Sequence, residues 1–116
     1  MSASTEYTQY VLELLEPIGP LRTSRFFGGV GIYSGSAQFA MIMGNSLYFV
    51  VDDSTRPKYE KAGMQPFSYT TKKGRIHVRR YFELPEDVLT DSEKLKAWAH
   101  ESIHTAGKDK KAKPSR

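Results

Sequence analysis

The chain has 116 residues, 17 Lys plus Arg against 13 Asp plus Glu, and no Cys. That length accommodates one domain, since single cores take roughly 100–200 residues. The missing Cys excludes a disulfide framework, a Cys-ligated zinc site and a thiol nucleophile. A net charge of +4 and an isoelectric point near 9.3 raise nucleic acid or an anionic membrane surface as partners.

The charge is unevenly placed. Lys108, Lys110, Lys111, Lys113 and Arg116, set against Asp109, account for all of it, and residues 1–107 carry 12 basic and 12 acidic side chains. Hydrophobic residues make up 39% of the chain, enough for a small core and too many for global disorder. The apolar stretches Phe39–Met43 and Leu47–Val51 fall far short of the roughly 20 residues a membrane helix needs. Met1–Tyr10 lacks the positive cluster and apolar run of a secretory signal. The expectation is a cytoplasmic protein with no membrane partner; the lack of Cys fits a reducing compartment.

Tyr7, Val11, Leu14, Leu15 and Ile18 recur at helical spacing. Pro17 should end that helix near Glu16, and Gly19-Pro20 forces a turn. From Thr23 to Val51 short apolar runs alternate with Ser34-Gly35-Ser36 and Gly44-Asn45-Ser46, both hairpin-turn chemistry. Three antiparallel strands are predicted, near 25–33, 37–43 and 47–51. The middle one is apolar on both faces and therefore central. Asp52-Asp53-Ser54-Thr55-Arg56-Pro57 reads as a helix start, with an Asp capping free N–H groups and Pro in the first turn. Gly63 stops that helix.

Phe67–Lys72 and Arg75–Phe82 read as a second hairpin around Lys73-Gly74. Alternation groups Ile76 and Val78, and with them Phe82, on one face, against Arg75, His77 and Arg79 on the other. Arg79-Arg80 interrupts the alternation and predicts a bulge. Thr90-Asp91-Ser92-Glu93 has capping-box spacing. Leu95, Trp98, Ala99, Ser102, Ile103 and Ala106 continue as a helical stripe that Gly107 is expected to end. Residues 108–116 read as a basic, disordered tail on a single domain spanning 1–107. The order of elements defines an α+β fold of two layers, an antiparallel sheet packed against helices.

His100-Glu101-Ser102-Ile103-His104 matches H-E-x-x-H, the motif in which two His bind zinc and the Glu activates water. A third ligand is required, and only Asp109 follows. The pair also lies roughly 120–180° around the helix from the apolar stripe, facing solvent. An exposed helix face is the preferred reading, with adventitious capture of Zn²⁺ or Ni²⁺ by the pair as its residue. A zinc hydrolase is a distant alternative. The run Phe26-Phe27-Gly28-Gly29-Val30-Gly31 is Gly-rich but lacks a phosphate-cradle spacing and a strand-to-helix context. Its glycines read better as a bulge or a site of close backbone approach, with a partner or ligand groove beside them as the remaining reading. Lys72, Lys73, Arg75, Arg79 and Arg80, with Tyr69 and Tyr81 nearby, form a basic hairpin. Such a hairpin can contact phosphates and stack on bases, or stand as a solvated hairpin balanced by Glu83, Glu86, Asp87, Asp91 and Glu93. No catalytic set, metal site or cofactor site emerges; Asp52-Asp53 fits capping better than acid–base work.

The segment Arg25-Phe26-Phe27-Gly28-Gly29-Val30-Gly31-Ile32-Tyr33 is followed by Leu47-Tyr48-Phe49, Asp52-Asp53 and Thr55-Arg56-Pro57. Then come Gly63, Pro66-Phe67-Ser68-Tyr69, Tyr81, Leu84-Pro85-Glu86 and Trp98-Ala99. Together these resemble the N-terminal domain of the TfoX/Sxy family over roughly residues 7–106. The core of the resemblance is Arg25, Phe27, Gly28, Gly29, Gly31, Tyr33, Asp53, Arg56 and Pro57. It implies a helix-flanked antiparallel sheet similar in outline to secretion chaperones. Full-length members resemble regulators of DNA-uptake competence that act with a catabolite-activator-type transcription factor and carry a further C-terminal helical domain; the present chain reads as the N-terminal domain alone. The resemblance supplies no catalytic residues. The expectation is a non-enzymatic regulatory domain working through an unidentified protein partner, with a homodimer through a sheet edge or face as one arrangement. Weak, non-specific nucleic-acid contact through the tail would add to it, and direct nucleic-acid binding through the 72–80 hairpin is the alternative.

Overall fold

A computed structural model of the protein describes residues 4–112, with side chains for residues 4–108. Helix α1 spans Thr5–Leu15; the Ser4 hydroxyl accepts from the Tyr7 N–H at 3.0 Å, and a short 3-10 turn, Glu16–Ile18, carries Pro17. Six strands follow the chain as β1 (Arg22–Phe26), β2 (Gly29–Ser34), β3 (Ala37–Met43), β4 (Ser46–Val50), β5 (Pro66–Thr71) and β6 (Gly74–Glu83). Between them lie α2 (Arg56–Lys61), and after them α3 (Glu86–Leu89) and α4 (Ser92–Ala112). The strands form one antiparallel sheet in the order β1-β2-β3-β4-β6-β5, with β3 internal as its apolar faces require. The architecture is α+β, as expected, with α2 and α4 on one face of the sheet.

The single strand expected over 25–33 is two strands. Phe27 and Gly28 both take positive φ, 50° and 84°, the geometry of a tight type I′ hairpin turn. The meander therefore has four strands rather than three. The cause of the miss is the residue: a bulky aromatic almost never occupies the left-handed region, so Phe27 carries no turn signal.

Two caps also differ from expectation. Asp91, not Thr90, caps α4: its Oδ1 accepts from the N–H groups of Glu93 and Lys94 at 3.1 and 3.2 Å. The Thr90 hydroxyl instead closes α3 by donating to the Glu86 carbonyl. Nor does α4 stop at Gly107. Its backbone stays helical to Ala112, and Lys108 Nζ reaches Asp52 Oδ2 at 3.3 Å, drawing the extended helix onto the start of α2. Residues 113–116 of the expected tail lie outside the described residues.

The core forms where α4 meets β3 and β4. Phe39, Ala40, Ile42, Phe49, Leu95 and Ala99 are all essentially inaccessible to solvent. The β3–β4 register runs from Met43–Ser46 to Ala40–Phe49 and ends there. On the other side of β3, Ile32 pairs Ala40 and Tyr33 pairs Gln38, leaving Phe39 unmatched. The Ser102 hydroxyl occupies this gap, 2.7 Å from the Phe39 carbonyl and 3.0 Å from that of Val50. One proton serves two carbonyls that the ladder leaves unpaired, so a polar residue in the apolar stripe of α4 is what the sheet requires there. Ser102→Ala should lower the unfolding free energy by about 1–2 kcal/mol, the cost of leaving buried acceptors unsatisfied, measurable as a fall in the urea midpoint.

Asp52 supplies a second tether. Its carboxyl is held well below its ordinary value of 3.8, chiefly by the Ser54 hydroxyl, with the Thr55 N–H, Lys108 and the Ser54 N–H adding to it, against the opposing effect of burial, which is second in size only to the Ser54 hydroxyl. A carboxyl depressed in the folded state stabilises the protein above its unfolded pKa and loses that contribution as pH falls below about 4. Asp52→Asn should therefore flatten the acid limb of the stability curve between about pH 4 and 2, as read by urea unfolding at each pH.

Candidate functional site: a groove on the open face of the sheet

The face of the sheet away from α2 and α4 is strongly curled. Strands β1 and β6 are four steps apart in the sheet, roughly 19 Å if flat. Yet the rings of Phe26 on β1 and Tyr81 on β6 lie with centroids 6.3 Å apart. Glycines on β2 permit the curl. A Cβ on Gly29 would collide with the backbone carbonyl of Ile42 and the sulfur of Met43, and one on Gly31 would press on the Gln38 side chain. The close approach expected of these glycines is present.

A bulge closes the other end of the curl. Phe67 pairs Val78 and Pro66 pairs Phe82, so Arg79, Arg80 and Tyr81 have no partners on β5. The bulge lies where Arg79-Arg80 predicts it, with a consequence the alternation misses. Three extra residues reverse the facing of everything beyond them. Phe82 turns to the helices, 6.1 Å from the Tyr59 ring, while Val78 remains on the open face with Tyr81. Phe82 therefore does not share a face with Val78.

Between these features lies a groove of about 650 Å³. Its floor is Met41, Met43, Val78 and Tyr81; Phe26 and Phe27 form one wall, and the β5 residues Phe67–Thr70 form the other. The Phe67 ring is braced edge-on by Tyr48 at 5.4 Å. Arg75 is the charged lining residue, and its Nη1 donates to Ser68 Oγ at 2.7 Å. Burial pushes the Tyr81 phenol above its ordinary pKa, against an opposite pull from Arg80. It is neutral at physiological pH. At the mouth, Phe27 is 86% exposed and stacks edge-on against Phe26 at 4.8 Å. A large apolar side chain, exposed and in a left-handed backbone conformation, costs roughly 1–3 kcal/mol in strain and gains little from burial.

The five basic residues of the hairpin do not converge. Lys72 and Lys73 stand exposed at the β5–β6 turn, one position earlier than expected. Arg75 lies in the groove. Arg79 faces Glu60 at 3.9 Å, and Arg80 interacts with Tyr81. The Arg79 carbonyl accepts from Arg56 Nε at 3.4 Å, and Arg56 Nη1 pairs with Asp53 at 2.8 Å, so the start of α2 grips the bulge. Of the other residues that carry the resemblance, Arg25 is exposed on β1, Tyr33 packs under the Arg22 guanidinium at 5.0 Å, and Pro57 lies in the first turn of α2. His100 and His104 are exposed on α4, and Glu101 between them pairs with Lys58 at 2.8 Å. Among the described residues no three His, Cys, Asp or Glu side chains gather as a metal site. Nor, among those residues, is any helix long and apolar enough to cross a membrane. Sequence reasoning held a groove beside Gly28, Gly29 and Gly31 only as a secondary reading and did not find the residues that line it, Phe26 and Phe27 on one wall and Met41, Met43, Val78 and Tyr81 on the floor.

Residues 13–106 match the TfoX N-terminal domain family. The match covers most of the 116 residues, and the chain belongs to this family. No curated protein matches it.

Replacing Phe27 with a residue that tolerates positive φ should relieve the strain. Phe27→Asn, which creates the Asn-Gly pair favoured in type I′ turns, should raise the unfolding free energy by up to about 1 kcal/mol, measured by urea titration.

Proposed function

We propose that the chain is a non-enzymatic interaction domain that binds a protein partner through the groove on the open face of its sheet. Membership of the TfoX N-terminal domain family supports a competence-related regulatory domain in general terms. The observation that carries the finer reading is Phe27. An apolar ring is held 86% exposed, in a strained conformation, at the mouth of an apolar groove. Strain of this kind persists where function requires it, and exposed aromatic residues beside apolar pockets are typical anchors of protein interfaces. The scatter of the basic hairpin supports the same choice over a nucleic-acid platform, since only Lys72 and Lys73 stand clear at the turn.

Photo-crosslinking tests it. Phe27→benzoylphenylalanine should give discrete protein adducts in cells, and the same substitution at Tyr10, 41% exposed on α1, should give none of them. Equal adducts at both positions, or adducts to nucleic acid from a crosslinker at Lys72 with none to protein at Phe27, would overturn the reading.

A further inference from the structure

We propose that β5 accepts an extended segment of a partner protein as an additional strand, which sends alternate apolar side chains into the groove and a carboxylate to Arg75. This rests on the groove being the contact face.

Strand β5 is the edge of the sheet, and the hydrogen bonding decides which of its groups are free. Val51 N–H donates to the Arg80 carbonyl and Leu84 N–H to that of Leu47, whereas Glu83 N–H donates to the Gln65 carbonyl. Gln65 therefore turns its backbone toward β6. By strict alternation Phe67, Tyr69 and Thr71 do the same, while Pro66, Ser68 and Thr70 turn theirs outward. Pro66, which has no N–H, occupies one outward position, and the free N–H groups belong to Ser68 and Thr70.

These are groove residues. Phe67, Ser68, Tyr69 and Thr70 all line it, although consecutive side chains of a strand point to opposite faces. The groove must therefore run along the edge of the strand as well as its face. A helix or a lipid-like amphiphile would fill the apolar volume and leave the edge unpaired. An extended segment pairs the edge and fills the volume together, the mode in which main-chain bonds supply affinity and side-chain pockets supply specificity.

Charge selects the occupant. Among the described residues the lining holds a guanidinium and no carboxylate, and the bond from Arg75 to Ser68 Oγ places that guanidinium on β5 beside the open edge. A segment bearing a carboxylate opposite Ser68 completes the pair in the bidentate form arginine favours. A second copy of this chain fits worse. In a two-fold β5–β5 pairing, Ser68 lies next to the midpoint of the strand, so both Arg75 groups meet at the axis with no carboxylate between them.

The test uses the full chain and a phage-displayed library of random ten-residue peptides, with the strongest binder synthesised. Selected peptides should alternate apolar and polar residues and carry an Asp or Glu. On binding, the amides of Ser68 and Thr70 should exchange at least tenfold more slowly. Thr70→Pro, which removes an outward N–H and leaves the β6 ladder intact, should weaken binding at least tenfold while the amide protection of β6 persists. Arg75→Glu should abolish the preference for the acidic peptide. Peptides that bind the groove without protecting Ser68 or Thr70, and bind Thr70→Pro as tightly, would overturn strand addition and leave the groove reading standing. Failure to select any peptide would also overturn it. Absence of protein adducts at position 27 would bring down the groove reading as well. A dimer seen by light scattering and dissolved by Thr70→Pro would put a second copy on the edge and overturn the choice of partner.

Discussion

The bulge in β6 is the constraint on which the rest of the structure depends. One strand serves two neighbours, β4 through residues 81–83 and β5 through residues 74–78 and again at Phe82, so the three residues Arg79, Arg80 and Tyr81 are extra to the β5 ladder. Because their number is odd, the strand can place Phe82 in the helix-facing core and Val78 on the open face without any break in the chain. Without the bulge, one of these apolar residues would face solvent or the open face would lack a floor. The cost of unpaired backbone is offset locally: Val51 and Arg56 both bond carbonyls of the bulge, at Arg80 and Arg79.

That arrangement ties α2 to the open face. Arg56 begins α2 and grips the bulge; Tyr59 in its middle packs against Phe82 and Trp98; Lys58 spans Trp98 and Glu101 on α4. A short helix of six residues would be marginal alone. It holds because each of its turns is fastened to something else, β6 on one side and α4 on the other. The groove thus has the α2-braced bulge beside its floor and two exposed rims, the Phe27 turn and the β5 edge.

Much of the fold was legible because local chemistry set it. Pro17 ended α1, Gly35 and Gly44 marked turns, and the apolar run of β3 placed it inside the sheet. Even the bulge was visible as a doubled arginine. What failed to show depended on partners distant in sequence or on a residue used against its preference. Phe27 hides a turn because its ring argues for a strand. Gly107 looks like a helix stop, and Lys108 finds Asp52 more than fifty residues earlier. The groove itself exists only because the sheet curls until Phe26 meets Tyr81, and no local pattern in either segment encodes that meeting. The H-E-x-x-H match shows the converse: a letter pattern with specific chemistry elsewhere, set here on an exposed face, with its Glu engaged by Lys58.

The single tryptophan of the chain has a consequence of its own. Trp98 is half-buried between α2 and α4, with the Lys58 ammonium 4.2 Å above its ring and the Tyr59 ring 4.8 Å away. Its emission is therefore set by the helical layer, on the far side of the sheet from the groove. Intrinsic fluorescence excited at the tryptophan band follows the docking of α2 on α4 and is silent about what occupies the open face. The chain carries its own optical gauge of folding, separated by the thickness of a sheet from the face that holds the groove.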